Sequence, residues 1–159
     1  MRSIHMEKIA SFQIDHDVLV PGIYLSRIDL GTIETFDLRF KHPNAGDYLS
    51  GAAAHTIEHL AATYLRSCPL RDKVVYFGPM GCLTGFYAVF GGARRADVIE
   101  EIKRCFAFIA DYDGEIPGAK REECGNYLFH DLPGARREAK AFCNAIAGWN
   151  EEKLAYPTK

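Results

Sequence analysis

Polar and apolar side chains alternate along several short stretches of this chain. In residues 35–40 the aromatic and aliphatic side chains fall on one side and Thr35, Asp37 and Arg39 on the other, which predicts a half-buried strand with an arginine on its polar face. Other regions with the alternation or β-branched content of strands are residues 9–25, interrupted at Pro21-Gly22, residues 73–77, and residues 85–90. A compact glycine-rich turn between the last two predicts that they lie antiparallel.

Apolar positions at helical spacing predict helices over about residues 52–66, 96–112 and 135–147. Ser50 or Gly51 can cap the first of them. We expect the polar tail, residues 150–159, to be loosely held. The order β-β-α-β-β-α-α, with antiparallel links between neighbouring strands, predicts an α+β fold in which an antiparallel sheet has helices packed on one face.

The composition is that of an ordinary globular domain, with 159 residues, 48% of them hydrophobic and 25% charged. We assign residues 6–159 to one domain and interpret residues 1–5 as a cloning remnant. A net charge of −2 gives no reason to expect a nucleic-acid partner. No run is long enough to cross a membrane and no cleavable leader opens the sequence, so we expect a cytoplasmic protein whose five cysteines are free thiols.

The first predicted helix carries the sequence His55-Thr56-Ile57-Glu58-His59. Its two histidines lie on one helical face, so both imidazoles can bind one metal ion. The Glu58 carboxylate can reach a ligand of that ion without being a ligand itself. The pattern alone fits a helix with two incidental histidines and a surface glutamate equally well, because five-residue patterns recur by chance.

A metal site built on these two histidines needs a third ligand from elsewhere in the chain. The candidates are Cys68, Cys82, Cys105, Cys124, Cys143, His16, His42 and His130. The cysteines in the two later predicted helices are better explained as buried side chains. We expect His130 to be a loop residue with local hydrogen bonds. The residue types do not rank Cys82 and Cys124, since both lie in turn-like stretches beside glycine.

Five stretches of the sequence, taken in order, resemble the S-ribosylhomocysteine lyase family, also known as LuxS or autoinducer-2 synthases. They are Ser11-Phe12 with Asp15-His16, Phe36-Asp37-Leu38-Arg39-Phe40 with Pro43-Asn44, His55-Thr56-Ile57-Glu58-His59-Leu60, Pro79-Met80-Gly81-Cys82 with Thr84-Gly85-Phe86-Tyr87, and Glu123-Cys124-Gly125-Asn126-Tyr127. Because these stretches extend over nearly the whole chain, they are far more specific than the histidine pattern alone.

The resemblance implies a metal site, a catalytic pair and a substrate-binding group. The implied metal ligands are His55, His59 and Cys124, the implied catalytic residues are Glu58 and Cys82, and the implied substrate-binding residues are Ser11, His16 and Arg39. The implied metal is Fe²⁺, which Zn²⁺ or Co²⁺ can replace. The family has an inverzincin-like architecture and forms homodimers with sites at the subunit interface, so the same is expected here.

The implied reaction explains why these residue types are needed. S-ribosylhomocysteine is cleaved to homocysteine and 4,5-dihydroxypentane-2,3-dione, the autoinducer-2 precursor, after the sugar carbonyl has migrated until the sulfur lies β to it. Each migration passes through an enediolate, whose negative charge a metal ion would stabilise. Proton transfer on different sides of the sugar fits one thiol and one carboxylate. No redox change occurs, so no organic cofactor is expected.

The chain departs from the family pattern beside the implied catalytic thiol. Tyr76-Phe77-Gly78 stands where an acidic or polar residue and a serine are common, and Leu83 follows the cysteine where glutamine or arginine is usual. These departures leave open a domain that bears a metal and binds ribosyl thioethers without turnover. A zinc metallopeptidase-like hydrolase is the other alternative, since His-x-x-Glu-His is also the inverted zinc motif, with Glu122 or Glu123 as a carboxylate ligand.

Overall fold

The computed structural model describes residues 4–159, and within them the predicted element order is confirmed. The strands are β1 (Gly22–Asp29), β2 (Ile33–Arg39), β3 (Val74–Pro79) and β4 (Gly85–Gly91), and the helices are α1 (Gly51–Leu65), α2 (Arg95–Ala110) and α3 (Leu132–Ile146). Residues 1–3, part of the interpreted cloning remnant, lie outside the described residues. None of the helices in residues 4–159 is long and apolar enough to cross a membrane.

The four strands form one antiparallel sheet in the order β1-β2-β4-β3. A tight turn through Leu30 and Gly31, both with positive φ, joins β1 to β2. Strand β4 lies between β2 and β3, and its first residue, Gly85, pairs with Arg39 at the end of β2. A side chain at Gly85 would lie 2.2 Å from the carbonyl oxygen of Leu38, so glycine permits the close approach of the two strands. This pairing brings the residues before β4 beside Arg39.

The three helices pack on one face of the sheet, which confirms the predicted α+β fold. The aromatic side chains of β2 and β4 that point towards the helices, among them Phe36 and Phe86, are fully buried. Phe40 extends this core beyond β2 and stacks on Phe142 of α3, with ring centroids 4.1 Å apart. Apolar burial of this kind is the main stabilising contribution in a domain of this size.

The C-terminal segment crosses the opposite face of the sheet, so the prediction of a loosely held tail is wrong. The amide of Leu25 in β1 donates a hydrogen bond to the carbonyl oxygen of Leu154 at 2.9 Å, and the Leu154 side chain is buried. Tyr156 stacks on Tyr24 with ring centroids 5.0 Å apart. At the end of the segment, the Lys159 ammonium lies 3.3 Å from a carboxylate oxygen of Asp15 in the N-terminal segment.

The prediction of a half-buried β2 is also wrong, because both faces of the strand are covered. Asp37 and Arg39 are 0% and 2% exposed, respectively. The pair tolerates burial because the guanidinium and the carboxylate neutralise each other and share two hydrogen bonds. Residues 9–16, predicted to be extended, instead contain a single 3-10 turn over Ala10–Phe12.

Candidate active site

Helix α1 presents the predicted metal-binding histidines near its first turns. Of the two candidate caps, Ser50 and Gly51, it is Ser50 that caps the helix, accepting a hydrogen bond from the amide of Ala53 at 3.1 Å. His55 and His59 follow on one face, with ring centroids 4.6 Å apart. The helix begins with Gly51, where a side chain would lie 2.9 Å from the ring of Phe129, so this glycine lets the loop after residue 123 approach α1.

Four side chains converge beside α1 into a cluster that could hold a metal ion. One donor atom from each of His55, His59, Cys124 and His130 lies within 4.8 Å of the others. The Cys124 sulfur is 3.5 Å from Nε2 of His55. Imidazole nitrogens and a thiolate are donors that suit a divalent metal. We refer to these four residues as the histidine–cysteine cluster.

Backbone carbonyl groups fix the orientation of the two helical histidines. Nδ1 of His55 lies 2.6 Å from the carbonyl oxygen of Phe129, and Nδ1 of His59 lies 2.7 Å from that of Pro117. A carbonyl oxygen can only accept, so each Nδ1 carries the proton and each Nε2 directs a lone pair into the cluster. Metal-bound histidines are commonly held in this way by a partner on the other ring nitrogen. The donor set therefore fits a metal ion.

His130 is the cluster member that the sequence reasoning missed, since we expected a loop histidine with local hydrogen bonds. Its Nδ1 lies 3.0 Å from Oγ1 of Thr56, a residue distant in sequence. Its Nε2 is buried and has no hydrogen-bond partner among the described residues. Burial, with smaller contributions from His55 and His59, lowers the pKa of His130 to about 4. The contact with Thr56 depends on how the intervening chain folds, so no local sequence signal could have revealed it.

The ring of His130 lies beside that of His55 rather than opposite it. The two rings are stacked, with centroids 4.1 Å apart and planes inclined by 17°, whereas the planes of His55 and His59 are inclined by 89°. Ligand nitrogens bind a metal in the plane of their ring, and two parallel rings direct their lone pairs side by side. The planes of His59 and His130 are inclined by 78°, so ring inclination does not by itself separate His130 from His55. The carbonyl partners of His55 and His59 and the contact of Cys124 with His55 favour these three as convergent donors.

Cys82 lies in a cavity of about 420 Å³ at the edge of the sheet, formed on the face opposite the helices. The cavity is also lined by Ser11, His16 and Arg39, the implied substrate-binding residues. The 3-10 turn carries Ser11 into it, and Nδ1 of His16 is held at 2.9 Å from the carbonyl oxygen of Ile14. The structure thus brings these four residues together, although they come from three distant parts of the sequence. We call this space the thiol cavity.

Arg39 supplies the positive charge behind the thiol cavity. Its Nη1 donates a hydrogen bond to Oγ1 of Thr84 at 2.7 Å, and that oxygen lies 3.0 Å from the sulfur of Cys82. Burial lowers the pKa of Arg39, but the negative charge and hydrogen bonds of Asp37 raise it by more. The pKa of Arg39 is therefore above its ordinary value. One threonine hydroxyl therefore separates the Arg39 guanidinium from the Cys82 sulfur.

The departures from the family pattern fall around the thiol cavity without blocking it. Leu83 adopts a positive φ of 57° and packs its side chain against the hydrophobic core. The residues that line the cavity do not include it. A side chain at Gly78 would lie 2.1 Å from the hydroxyl of Tyr76, so the tyrosine ring occupies the space that a serine side chain would need. Tyr76 lines an adjoining cavity that shares Ser11 with the first.

The thiol cavity and the histidine–cysteine cluster are separate within one chain. None of the four cluster residues lines the cavity. Glu58, half-buried on α1, belongs to the helical layer, whereas Cys82 opens onto the other face of the sheet. The structure therefore does not place the implied catalytic residues, Glu58 and Cys82, in one cavity of a single chain.

An α+β chain with two helical histidines and a cysteine around one point, and an exposed thiol in a separate cavity, has the features of a small metal-dependent enzyme. The family model described as S-Ribosylhomocysteinase (LuxS) matches residues 9–153 of this chain. The chain belongs to this family, and the resemblance drawn from its sequence is confirmed.

Full-length relatives agree with the family assignment. The chain is 51% identical over 160 residues to the S-ribosylhomocysteine lyase of Phocaeicola vulgatus, covering 97% of this chain and 99% of that protein. It is 48% identical over 159 residues to the protein of the same name from Desulfotalea psychrophila, covering 96% and 100% of the two chains. A third S-ribosylhomocysteine lyase, from Clostridium acetobutylicum, is 46% identical over 157 residues, with 96% and 99% covered.

Proposed function

We propose that this chain cleaves the thioether of S-ribosylhomocysteine, releasing homocysteine and 4,5-dihydroxypentane-2,3-dione. Carbon–sulfur lyase activity is the activity of the family to which the chain belongs. The observation that carries the proposal is the convergence of the histidine–cysteine cluster on α1 in a chain that matches this family from residue 9 to residue 153. The product dione makes the chain a supplier of the autoinducer-2 precursor.

His55, His59 and Cys124 are the residues that hold the metal in this proposal, and Fe²⁺ is the metal, with Zn²⁺ or Co²⁺ able to replace it. The fixed tautomers of the two histidines and the short distance between His55 and Cys124 support this assignment. Three protein donors leave a position open for substrate, as in catalytic metal sites. A bound divalent ion would supply Lewis-acid stabilisation of the negative charge that develops on the sugar oxygens.

Cys82 and Glu58 move the protons in the proposed reaction. The Cys82 thiolate takes a proton from a sugar carbon, becoming a thiol, and then returns it to the neighbouring carbon; the positive charge of Arg39 stabilises the thiolate before the first transfer and after the second. Glu58 exchanges protons at its carboxylate from the side of the histidine–cysteine cluster. Ser11 and His16 bind the substrate beside Cys82, where their side chains line the same cavity.

A homodimer with shared sites is part of the proposal, because the thiol cavity and the cluster are separate in one chain. Exposed apolar side chains lie beside both: Phe12, 65% exposed, lines the thiol cavity, and Leu128, 78% exposed, follows the cysteine of the cluster in sequence. Apolar groups at both places support a self-complementary interface in which the thiol cavity of one subunit faces the cluster of its partner. The cytoplasm is the proposed location.

The two alternative readings are less well supported. A metallopeptidase would need a carboxylate as third ligand, but Glu122 and Glu123 are exposed and neither belongs to the cluster, whereas Cys124 does. An idle ligand-binding domain has no need for a charged arginine held behind an accessible thiol. The family assignment favours the lyase over both.

Release of free thiol from S-ribosylhomocysteine tests the proposal directly. The Fe²⁺-loaded protein, assayed anaerobically with a thiol-reactive dye, is expected to release one homocysteine per substrate. Cys82→Ala and Glu58→Gln are expected to abolish release while the metal content stays unchanged, because neither residue is proposed as a ligand. A fully metallated wild-type protein that releases no homocysteine would refute the lyase proposal.

A further inference from the structure

A continuous chain of hydrogen bonds connects the C-terminal segment to the thiol cavity. The hydroxyl of Tyr156 donates to Oδ2 of Asp37 at 2.8 Å. Arg39 donates from Nε and Nη2 to the two oxygens of Asp37, at 3.1 and 2.6 Å. The same guanidinium donates from Nη1 to Thr84, whose hydroxyl oxygen lies 3.0 Å from the sulfur of Cys82. Tyr156 and Thr84 have no role in the reaction proposed above.

The hydrogen bonds that lead from Arg39 through Thr84 to Cys82 all point in one direction. A guanidinium has no acceptor, so the Thr84 oxygen must accept from Arg39. The only hydrogen of that hydroxyl is then free to point at the Cys82 sulfur, where a thiolate can accept it. The Thr84 hydroxyl thus links the Arg39 guanidinium to the Cys82 sulfur. The hydrogen bond from Thr84 to the sulfur strengthens when the sulfur carries a negative charge.

Burial makes the position of Arg39 depend on its partners. Asp37, Arg39 and Thr84 are 0%, 2% and 3% exposed. Water cannot readily reach these groups, so losing one of their hydrogen bonds leaves a buried polar group unpaired and lowers stability. Asp37 receives a third hydrogen bond from Tyr156, and the Tyr156 ring is held by stacking on Tyr24. The C-terminal segment therefore helps to fix the carboxylate against which the guanidinium is oriented.

We propose that Thr84 and Tyr156 are positioning residues for Cys82: Tyr156 holds the Asp37–Arg39 pair from behind, and Thr84 donates the hydrogen bond that stabilises the thiolate. The inference rests on the proposed function in that it takes Cys82 as the proton-moving thiol. The other titratable side chains that line the thiol cavity are His16 and Tyr87. Neither takes part in the chain of hydrogen bonds.

Alkylation of Cys82 by iodoacetamide tests Thr84 without requiring lyase activity. Cys82 is exposed, whereas the other four cysteines are buried or half-buried. Mass spectrometry of the Cys82 peptide reports the alkylation of this residue separately from theirs. In Thr84→Val the alkylation rate at pH 7 is expected to fall by about tenfold, the loss associated with one hydrogen bond to a charged group. The pH at which alkylation reaches half its maximal rate should rise. Thr84→Ser, which keeps the hydroxyl, should restore the rate to within about twofold of the wild type.

A matched pair of tyrosine variants tests the role of Tyr156, where the series of hydrogen bonds begins. Tyr156→Phe removes the hydroxyl that bonds to Asp37, and we expect a fall in the alkylation rate of about threefold, smaller than for Thr84→Val because the effect is indirect. Tyr24→Phe removes a hydroxyl from the same aromatic pair, but this hydroxyl donates to the carbonyl oxygen of Val20. Its alkylation profile should match the wild type.

The outcomes separate this inference from the proposed lyase function. Slower alkylation in Thr84→Val and Tyr156→Phe, with kcat reduced and KM retained, supports the positioning roles. Slower alkylation in a protein whose wild type releases no homocysteine supports positioning but refutes the lyase proposal. Wild-type alkylation profiles in both variants overturn the inference, whatever the lyase activity. An equal loss in Tyr24→Phe also overturns it, since the effect would then come from packing.

Discussion

Replacement of Arg39 by methionine should cost the protein a large part of its stability. Methionine keeps much of the side-chain length but leaves Asp37, which is 0% exposed, with Tyr156 as its remaining donor. Removing one partner of a buried ion pair costs about 3–5 kcal/mol of unfolding free energy, because the other charge stays buried without compensation. Native domains have about 5–15 kcal/mol in total, so the loss should be easily measured.

Urea unfolding followed by circular dichroism measures this loss, with metal loading and protein concentration held constant. Arg27→Met is the matched control: Arg27 pairs with Asp29 two residues along β1, but both side chains are about half exposed, so its loss should stay below about 1 kcal/mol. Adding Asp37→Asn to Arg39→Met should recover at least about 1 kcal/mol, because the unpaired charge is removed. An Arg39→Met loss no greater than that of the control would refute the reasoning.

Three other predictions concern the metal site and the backbone. Cys124→Ala should lose bound metal, whereas His130→Asn should keep about one ion per chain by elemental analysis, since His130 lacks the backbone carbonyl partner that orients His55 and His59. Metal loss in His130→Asn alone would contradict this. Gly85→Ala should lower the unfolding free energy by about 1–3 kcal/mol through a clash with β2, whereas Gly125→Ala, which meets nothing within 4 Å, should unfold near the wild-type urea midpoint. Ser50→Ala should cost about 1 kcal/mol in the same urea assay, and Ser50→Asp, which can also cap, should not.

Local signals were sufficient to predict most of the helices and strands. Helix α1 follows from its alanine-rich start and its serine cap, and the hairpin of β3 and β4 follows from the glycine-rich turn between two β-branched or aromatic runs. The residues that line the thiol cavity were predicted from the family resemblance. No local sequence pattern connects these residues with one another. Their meeting depends on the pairing of β2 with β4, and strand pairing of this kind is set by the whole sheet.

Apart from the 3-10 turn in residues 9–16, the wrong predictions concern contacts between distant parts of the chain. The polar tail has no periodic pattern, yet it is held because Tyr156 reaches Asp37, 119 residues earlier in sequence. The same contact explains why β2 is buried on the face that alternation marked as polar. His130 does lie in a loop, but its hydrogen-bond partner is Thr56, 74 residues away in sequence, rather than a local group. Periodicity reports which side of an element is apolar and carries no information on what later covers the other side.

The ion pair between Lys159 and Asp15 has a practical consequence for handling the protein. It places the end of the chain next to the segment that carries Ser11 into the thiol cavity. An affinity tag or fluorescent fusion added after residue 159 would therefore emerge beside the substrate-binding residues. The β1–β2 turn, where Leu30 is 95% exposed, lies at the opposite end of β2 from Arg39. A probe or surface anchor attached at that turn would leave the thiol cavity open.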